Sequence, residues 1–317
     1  MTTKTSGLGQ NCYVDGFDLS GDIGAIDSIS GPNKPFDVTG INKSAHERIG
    51  GQRDGNAAFT AFFNPTGAHP VLSALPTTDG SVMVATGTVI GSPAACMVAK
   101  QLNYDGTRQQ DGSFTLKSEF QANAFGLEWG TLLTAGLRTD TTATSGASLD
   151  GGGGFATPAV PASTTPVTNT SALPATVVVS AGTLTNVSVN GATVGTGDGT
   201  YTVPPGGTIA ITYSVAPTWT WTLQTAYGAQ MYLQVTGFTG TDATIKVQDS
   251  ADGVTFADLA GAAFTAVTTA NQGQRLAISN GAAVRRYLRV ATTTSGGFTS
   301  VTFAVAFVRN LTAGQVF

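Results

Sequence analysis

The chain has 317 residues, long enough for two or three domains. Only 11% of them are charged, and Gly, Thr, Ala and Val are abundant, which argues against a helical protein and for a mostly β one. A formal net charge of -4 excludes a general nucleic-acid binder, because neutralising phosphate needs clustered Lys and Arg.

Charge is unevenly spread. Residues 1-138 carry nine Lys/Arg against twelve Asp/Glu, residues 139-225 none against three, and residues 226-317 six against four. The cation-free middle reads as a separately built or inserted segment. Cys12 and Cys96 are the only cysteines, and two thiols in such a chain suit a reducing compartment better than a bridge. The start, MTTKTSGLGQ, has no apolar core of signal-peptide length, and no run reaches the roughly 18 residues of a membrane span. A soluble product made in the cytoplasm is expected.

In chain order, residues 1-10 read as a polar arm ordered by a partner. Tyr13, Phe17 and Leu19 share a parity around the Asp15-Gly16 turn and predict strand structure. From Asp27 to Gly55, Gly, Pro and mixed charge without periodicity predict a long loop, with one helical turn at Ser44 to Ile49 capped by Ser44 with Glu47 three residues on. Loops of this length tend to be functional, and this one is read as a self-assembly element. Ala57 to Phe63 alternates as a strand, and Asn64 to Leu75 holds one short helix with Pro70 in its first turn. Val82 to Val89 and Ala94 to Tyr104 follow as strands.

The stretch from Asp111 to Trp129, DGSFTLKSEFQANAFGLEW, is the most informative. Phe114, Leu116 and Phe120 fall on one parity, Thr115, Lys117, Glu119 and Gln121 on the other. A strand with one dry and one wet face suits a channel wall. Trp129 to Leu133 closes a first domain at residues 1-138.

Residues 139-172, rich in Thr, Ala, Ser, Gly and Pro, predict a linker. Residues 173-225 form a small β module: Val177-Val179, Leu184-Val189 and Ile209-Val215 are strands, Asn190-Gly191 and Asp198-Gly199 are turns, and Trp219 and Trp221 share a strand face that is either a small core or an exposed aromatic patch. Residues 226-317 carry period-2 runs at Met231-Val235, Ala243-Val247, Arg275-Ser279, Tyr287-Ala291 and Val301-Val308, a C-terminal β-sandwich that the module either precedes or is inserted into.

No catalytic residue, metal ligand or cofactor is nominated. His46 and His69 lack spaced partners for a triad. Asp249 to Asp258 lacks the terminal glutamate of an EF-hand and reads as an Asp252-Gly253 turn. Gly151 to Gly154 lacks the Lys-Ser/Thr of a phosphate loop. Strand parity sends Arg285, Tyr287 and Arg289 to one face, a solvated face or one that holds an acidic surface or glycan.

YVDGFDLSGDIG at Tyr13 to Gly24, HERIGGQRDG at His46 to Gly55, FTAFFNP at Phe59 to Pro65 and DGSFTLKSEFQANAFGLEWG at Asp111 to Gly130 together resemble the major tail tube proteins of long-tailed, siphovirus-type actinobacterial phages. The resemblance covers about residues 8-140 and rests on short phrases and their order. It implies a tail-tube β-sandwich with a flanking helix and a long loop, forming hexameric rings that stack into a tube passing DNA, followed by one or two C-terminal β-sandwich decoration domains of jelly-roll or immunoglobulin-like type. Thr115, Lys117, Glu119 and Gln121 would line the lumen, where Lys117 departs from that family's acidic pattern. Ile41, Asn42, Lys43, Arg48 and Arg53 would reach a neighbouring subunit or ring. The implied partners are other copies of the chain, the tape-measure protein and DNA in the lumen, the tail terminator and distal tail protein at the ends, and possible host cell-surface glycan, with no membrane. The expected location is the virion tail.

Two readings follow, a non-enzymatic tail tube subunit and, as the alternative, a carbohydrate-binding tail fibre or capsid decoration protein in which Trp219 and Trp221 meet sugar. A cell-wall hydrolase lacks any carboxylate pair to nominate.

Overall fold

A computed structural model describes residues 6–149, 156–171, 173–224 and 227–310. The protein is mostly β, 53% strand and 2% helix. Its strands run β1 (Asn11–Val14), β2 (Phe17–Asp18), β3 (Ile23–Ser30), β4 (Phe36–Asp37), β5 (Arg48–Ile49), β6 (Asn56–Phe62), then helix α1 (Ala68–Leu72), β7 (Gly80–Ala85), β8 (Pro93–Arg108), β9 (Phe114–Ala122), β10 (Glu128–Leu132) and β11 (Arg138–Asp140). The middle module contributes β12 (Val167–Thr168), β13 (Ala175–Ser180), β14 (Thr183–Val189), β15 (Ala192–Gly195), β16 (Gly199–Val203), β17 (Thr208–Val215) and β18 (Thr218–Leu223). The last part adds β19 (Ala229–Thr239), β20 (Ala243–Ser250), β21 (Ala257–Ala263), β22 (Gln272–Ala277), β23 (Tyr287–Thr294) and β24 (Ser300–Arg309).

One sheet joins the first and last parts of the chain, in the order β2-β1-β7-β8-β10-β24-β19-β22. It curls around a core of Tyr13, Met83, Cys96, Leu132 and Tyr232 with Ala85, Ala94, Ala304 and Ala306, whose short side chains permit tight curvature. Its two ends meet at the β1–β2 turn, where Asp15 and Gly16 both have positive φ, the two-residue hairpin geometry that Asp-Gly favours. The Gly16 amide donates to Gln234 Oε1 at 2.7 Å, and a Cβ on Gly16 would lie 2.3 Å from the Gln272 nitrogen and the Val235 carbonyl oxygen. Only glycine fits there.

Outside the curl lie two further cores. Under α1, Phe59, Phe120, Leu72, Met97 and Val84 fill one sandwich; β20, β21 and β23 pack Ile245, Val247, Leu288 and Val290 against Phe303 and Val305 in the other. The middle module has its own core of Val177, Val179, Ile209, Ile211, Trp219 and Trp221 between a four-stranded and a three-stranded sheet. Within the stretch expected as a linker, β11 pairs with β24, Leu149 bridges Leu288, and β12 pairs with β17. The Gly151 to Gly154 run lies outside the described residues.

Cys12 faces the core under α1 and Cys96 the core inside the curl, on opposite sides of one sheet, and both thiols are free. Burial pushes both thiol pKa values up, with the nearby Asp18 and Glu128 carboxylates adding to it.

Candidate functional site

The long amphipathic stretch is two strands. β9 ends at Ala122, the chain turns through Ala124 at positive φ, and β10 begins at Glu128. Along β9 the parity holds: Leu116, Ser118 and Phe120 are buried, Thr115 and Glu119 half-buried, Lys117 and Gln121 exposed. Phe114, expected in the dry row, is partly exposed and stacks on Phe63 at a ring distance of 5.3 Å.

β9 belongs to a four-stranded branch ordered β3-β6-β9-β8. β8 makes this branch possible by its length. Its first half pairs with β7 on one edge and β10 on the other; from Ala99 onward it pairs with β9 on the edge that β10 has left. The register places Thr60 and Asp105 on either side of Lys117, and Asn103 beside Glu119. Thr60 Oγ1 donates to Asp27 Oδ2 at 2.8 Å, Asn56 Nδ2 to Glu119 Oε1 at 2.7 Å and Gln121 Nε2 to Asp54 Oδ2 at 2.9 Å. The wet face thus carries the carboxylates of Asp27, Asp54, Asp105 and Glu119 around the ammonium of Lys117, and at its Gln121 end Lys100, opposite Gln121 in register, pairs with Asp79 at 2.6 Å. It is acidic even with Lys117 in place.

Both outer edges of this branch lack a strand partner among the described residues. Among the described residues no strand pairs with the far edge of β3, or with the β7-side edge of β8 beyond Ala99. An open strand edge presents a row of backbone donors and acceptors ready for another strand.

The long loop is a ribbon. β4 and β5 pair Phe36 with Ile49 and Asp37 with Arg48, Asn33 bridges Arg53, and the Val38 amide donates to the Glu47 carbonyl at 2.9 Å. The helical turn expected at Ser44 to Ile49 is absent because Glu47 is used otherwise: its amide donates to Thr39 Oγ1 at 2.9 Å and its carboxylate pairs with Lys43 at 2.9 Å. Ile41 is 109% exposed at the tip, and Phe36, Val38 and Ile49 are each about half exposed. Ile41, Asn42, Lys43 and Arg48 lie on this distal ribbon. Arg53 lies at its root, donating to the Leu127 carbonyl at 3.3 Å.

Trp219 and Trp221 are 8% and 4% exposed, pack edge to face at 5.4 Å, and Trp219 Nε1 donates to the Pro158 carbonyl at 2.7 Å. Of the two readings open for this pair, small core and exposed aromatic patch, the burial fits the first, and both rings belong to the module core. Tyr287 is buried, whereas Arg289 lies over Phe256 at 4.2 Å and donates to Gln248 Oε1, so Arg285, Tyr287 and Arg289 do not form one open face. Asp252 Oδ1 accepts from the amides of Val254 and Thr255 and from Ser250 Oγ, which hold its carboxyl well below the usual range in a closed turn. His46 Nδ1 lies 2.8 Å from Asp37 and His69 Nδ1 2.9 Å from Tyr104 Oη, both without a nucleophile.

No protein-family model matches the chain, and no curated protein matches it. Among solved structures, the Dit protein of phage SPP1, described as a paradigm of the hub adsorption apparatus in phages that infect Gram-positive bacteria, is similar at 10% identity over 95% of this chain and 99% of that one, with a TM-score of 0.29. The phage p2 baseplate in its activated conformation is similar with Sr at 10% identity, 90% and 98% coverage and a TM-score of 0.27. With Ca the figures are 11%, 91%, 99% and 0.26. At these TM-scores the likeness carries no argument about this chain's role.

Proposed function

We propose that the chain is a structural subunit of a phage tail tube, assembling head to tail into rings whose β3-β6-β9-β8 branches form one inner wall. The observation that carries this reading is the pairing of two open edges with one acidic face. β3 is eight residues long, and the open part of β8 runs from Lys100 to Arg108, a comparable length on the opposite side of the branch. A contact between unlike edges repeats from copy to copy and closes into a ring when the rotation allows. The face between the edges would become the lumen, lined by Thr115, Lys117, Glu119 and Gln121 with Asp27, Asp54 and Asp105. A surface rich in carboxylates repels the phosphate backbone and lets DNA pass without sticking.

The ribbon supports the same reading. A two-stranded ribbon is marginal in water on its own, and this one exposes Phe36, Val38, Ile41 and Ile49. A neighbouring copy or ring would cover them. The hexameric copy number, the stacking into a tube and the partners at its ends rest on the sequence resemblance. Negative-stain imaging of the concentrated full chain, with an Ile41→Asp variant beside it, tests the reading: rings or tubes in the first and their loss in the second are expected, whereas isolated globular particles in both contradict it.

A further inference from the structure

The root of the ribbon is fixed by the turn between β9 and β10, and that turn is held by the C-terminal sandwich. The Leu127 amide donates to the Asp54 carbonyl at 3.2 Å, the Leu127 carbonyl accepts from Arg53, and the Ala122 amide donates to the Gly55 carbonyl at 2.8 Å. The backbones are too close for side chains: a Cβ on Gly55 would lie 2.6 Å from the Leu127 nitrogen, and one on Gly126 would lie 2.9 Å from Arg53 Cβ and 3.1 Å from the Asp54 carbonyl oxygen. Beside these contacts is a cavity of about 470 Å³, bounded by Gly51 to Arg53, by Ala124 to Gly126 and by Glu128. The root is therefore anchored on one side and unpacked on the other.

Arg275 of β22 closes the anchor. Its guanidinium lies 3.7 Å from the Phe125 ring centroid, donates from Nη2 to Glu128 Oε1 at 3.1 Å and from Nε to Glu128 Oε2 at 3.3 Å and to Tyr232 Oη at 3.0 Å. Tyr232 in turn donates to Glu128. Glu128 is 1% exposed and the Arg275 side chain 8%. Such a planar fork stacks and binds a carboxylate at two points at once, which an ammonium cannot do.

We infer that Arg275 is a positioning residue through which the C-terminal sandwich sets the angle of the ribbon, by clamping Phe125 within, and Glu128 at the β10 end of, the turn that holds Arg53 to Gly55. The purpose of this device rests on the ribbon being an assembly element, but its existence does not.

Hydrogen exchange of the full chain, followed by mass spectrometry, tests it without any need for assembly. In Arg275→Ala the amides of residues 51-55 and 124-127 are expected to exchange at least on the order of tenfold faster, since the loss of even one of its charge-assisted hydrogen bonds changes local opening by about that much. In Tyr232→Phe, which weakens the same cluster but touches neither Phe125 nor the ribbon root, they are expected to stay protected. Should Arg275→Ala fail to fold, Phe125→Leu removes the stacking and keeps the ion pair, and is expected to loosen the same two segments. Unchanged exchange there in the folded Arg275 or Phe125 variant, or an equal rise in Tyr232→Phe, overturns the inference. A chain that forms no rings leaves this result unaffected, so the two readings fail separately.

Discussion

Thr131 of β10 stands opposite Phe307 of β24 in antiparallel register. Two residues earlier on the same strand, Trp129 stands opposite Ala95 of β8, so one five-residue strand joins the two parts of the chain edge to edge. A fragment of residues 1-138 would expose the β10 edge and lose Tyr232, Ala304, Ala306 and Val308 from the core inside the curl. That fragment is expected to lack a cooperative thermal transition by circular dichroism. The full chain with residues 156-224 replaced by a short Gly/Ser link is expected to keep one, because the module's core is its own.

The dry and wet faces of β9 differ in what they contribute. Phe120 is buried and packs on Phe59 at a ring distance of 5.6 Å. Phe120→Ala is expected to cost about 3–5 kcal/mol in chemical denaturation, the usual loss for a core aromatic. Lys117→Ala, on the exposed row, is expected to stay within about 0.5 kcal/mol.

Asp15 makes stability depend on pH in an unusual direction. Burial raises its pKa, opposed in part by the Ser81 amide, which donates to Asp15 Oδ1 at 2.6 Å. A carboxyl whose folded pKa exceeds its unfolded one holds its proton better when folded. Its contribution is therefore greatest below the unfolded value near 3.9 and is lost as pH rises through the folded value. Asp15→Asn keeps an acceptor for Ser81 and a residue that tolerates positive φ. It is expected to stabilise the protein at neutral pH and to lose that advantage in acid, as urea titrations at several pH values would read. A variant that destabilises at every pH contradicts this.

Much of the fold was legible because period-2 alternation depends on the residues alone. Tyr13 with the Asp15-Gly16 turn, the wet and dry rows of β9, the Asn190-Gly191 turn and the strands around Ile209, Met231 and Val301 all read directly. What could not be read was register between distant strands. Asp27 and Asp105 share a face with Lys117 only because β3, β6 and β8 flank β9, and nothing local to Asp27 says so. Glu128 and Arg275 meet across 147 residues, and each alone looks like an ordinary surface charge. The ribbon reads as a loop because its paired strands are two residues each, too short for alternation to show. Trp219 and Trp221 left core and surface open, since one shared face says nothing about what lies over it.

The most direct measurement is the mass and shape of the full chain at high concentration, by cryo-electron microscopy with analytical ultracentrifugation. Closed rings in which β3 of one copy lies along Lys100 to Arg108 of the next, with Lys117 and Glu119 toward the axis, are the expected result. A persistent monomer, or an assembly that leaves both of those edges in solvent, would contradict it.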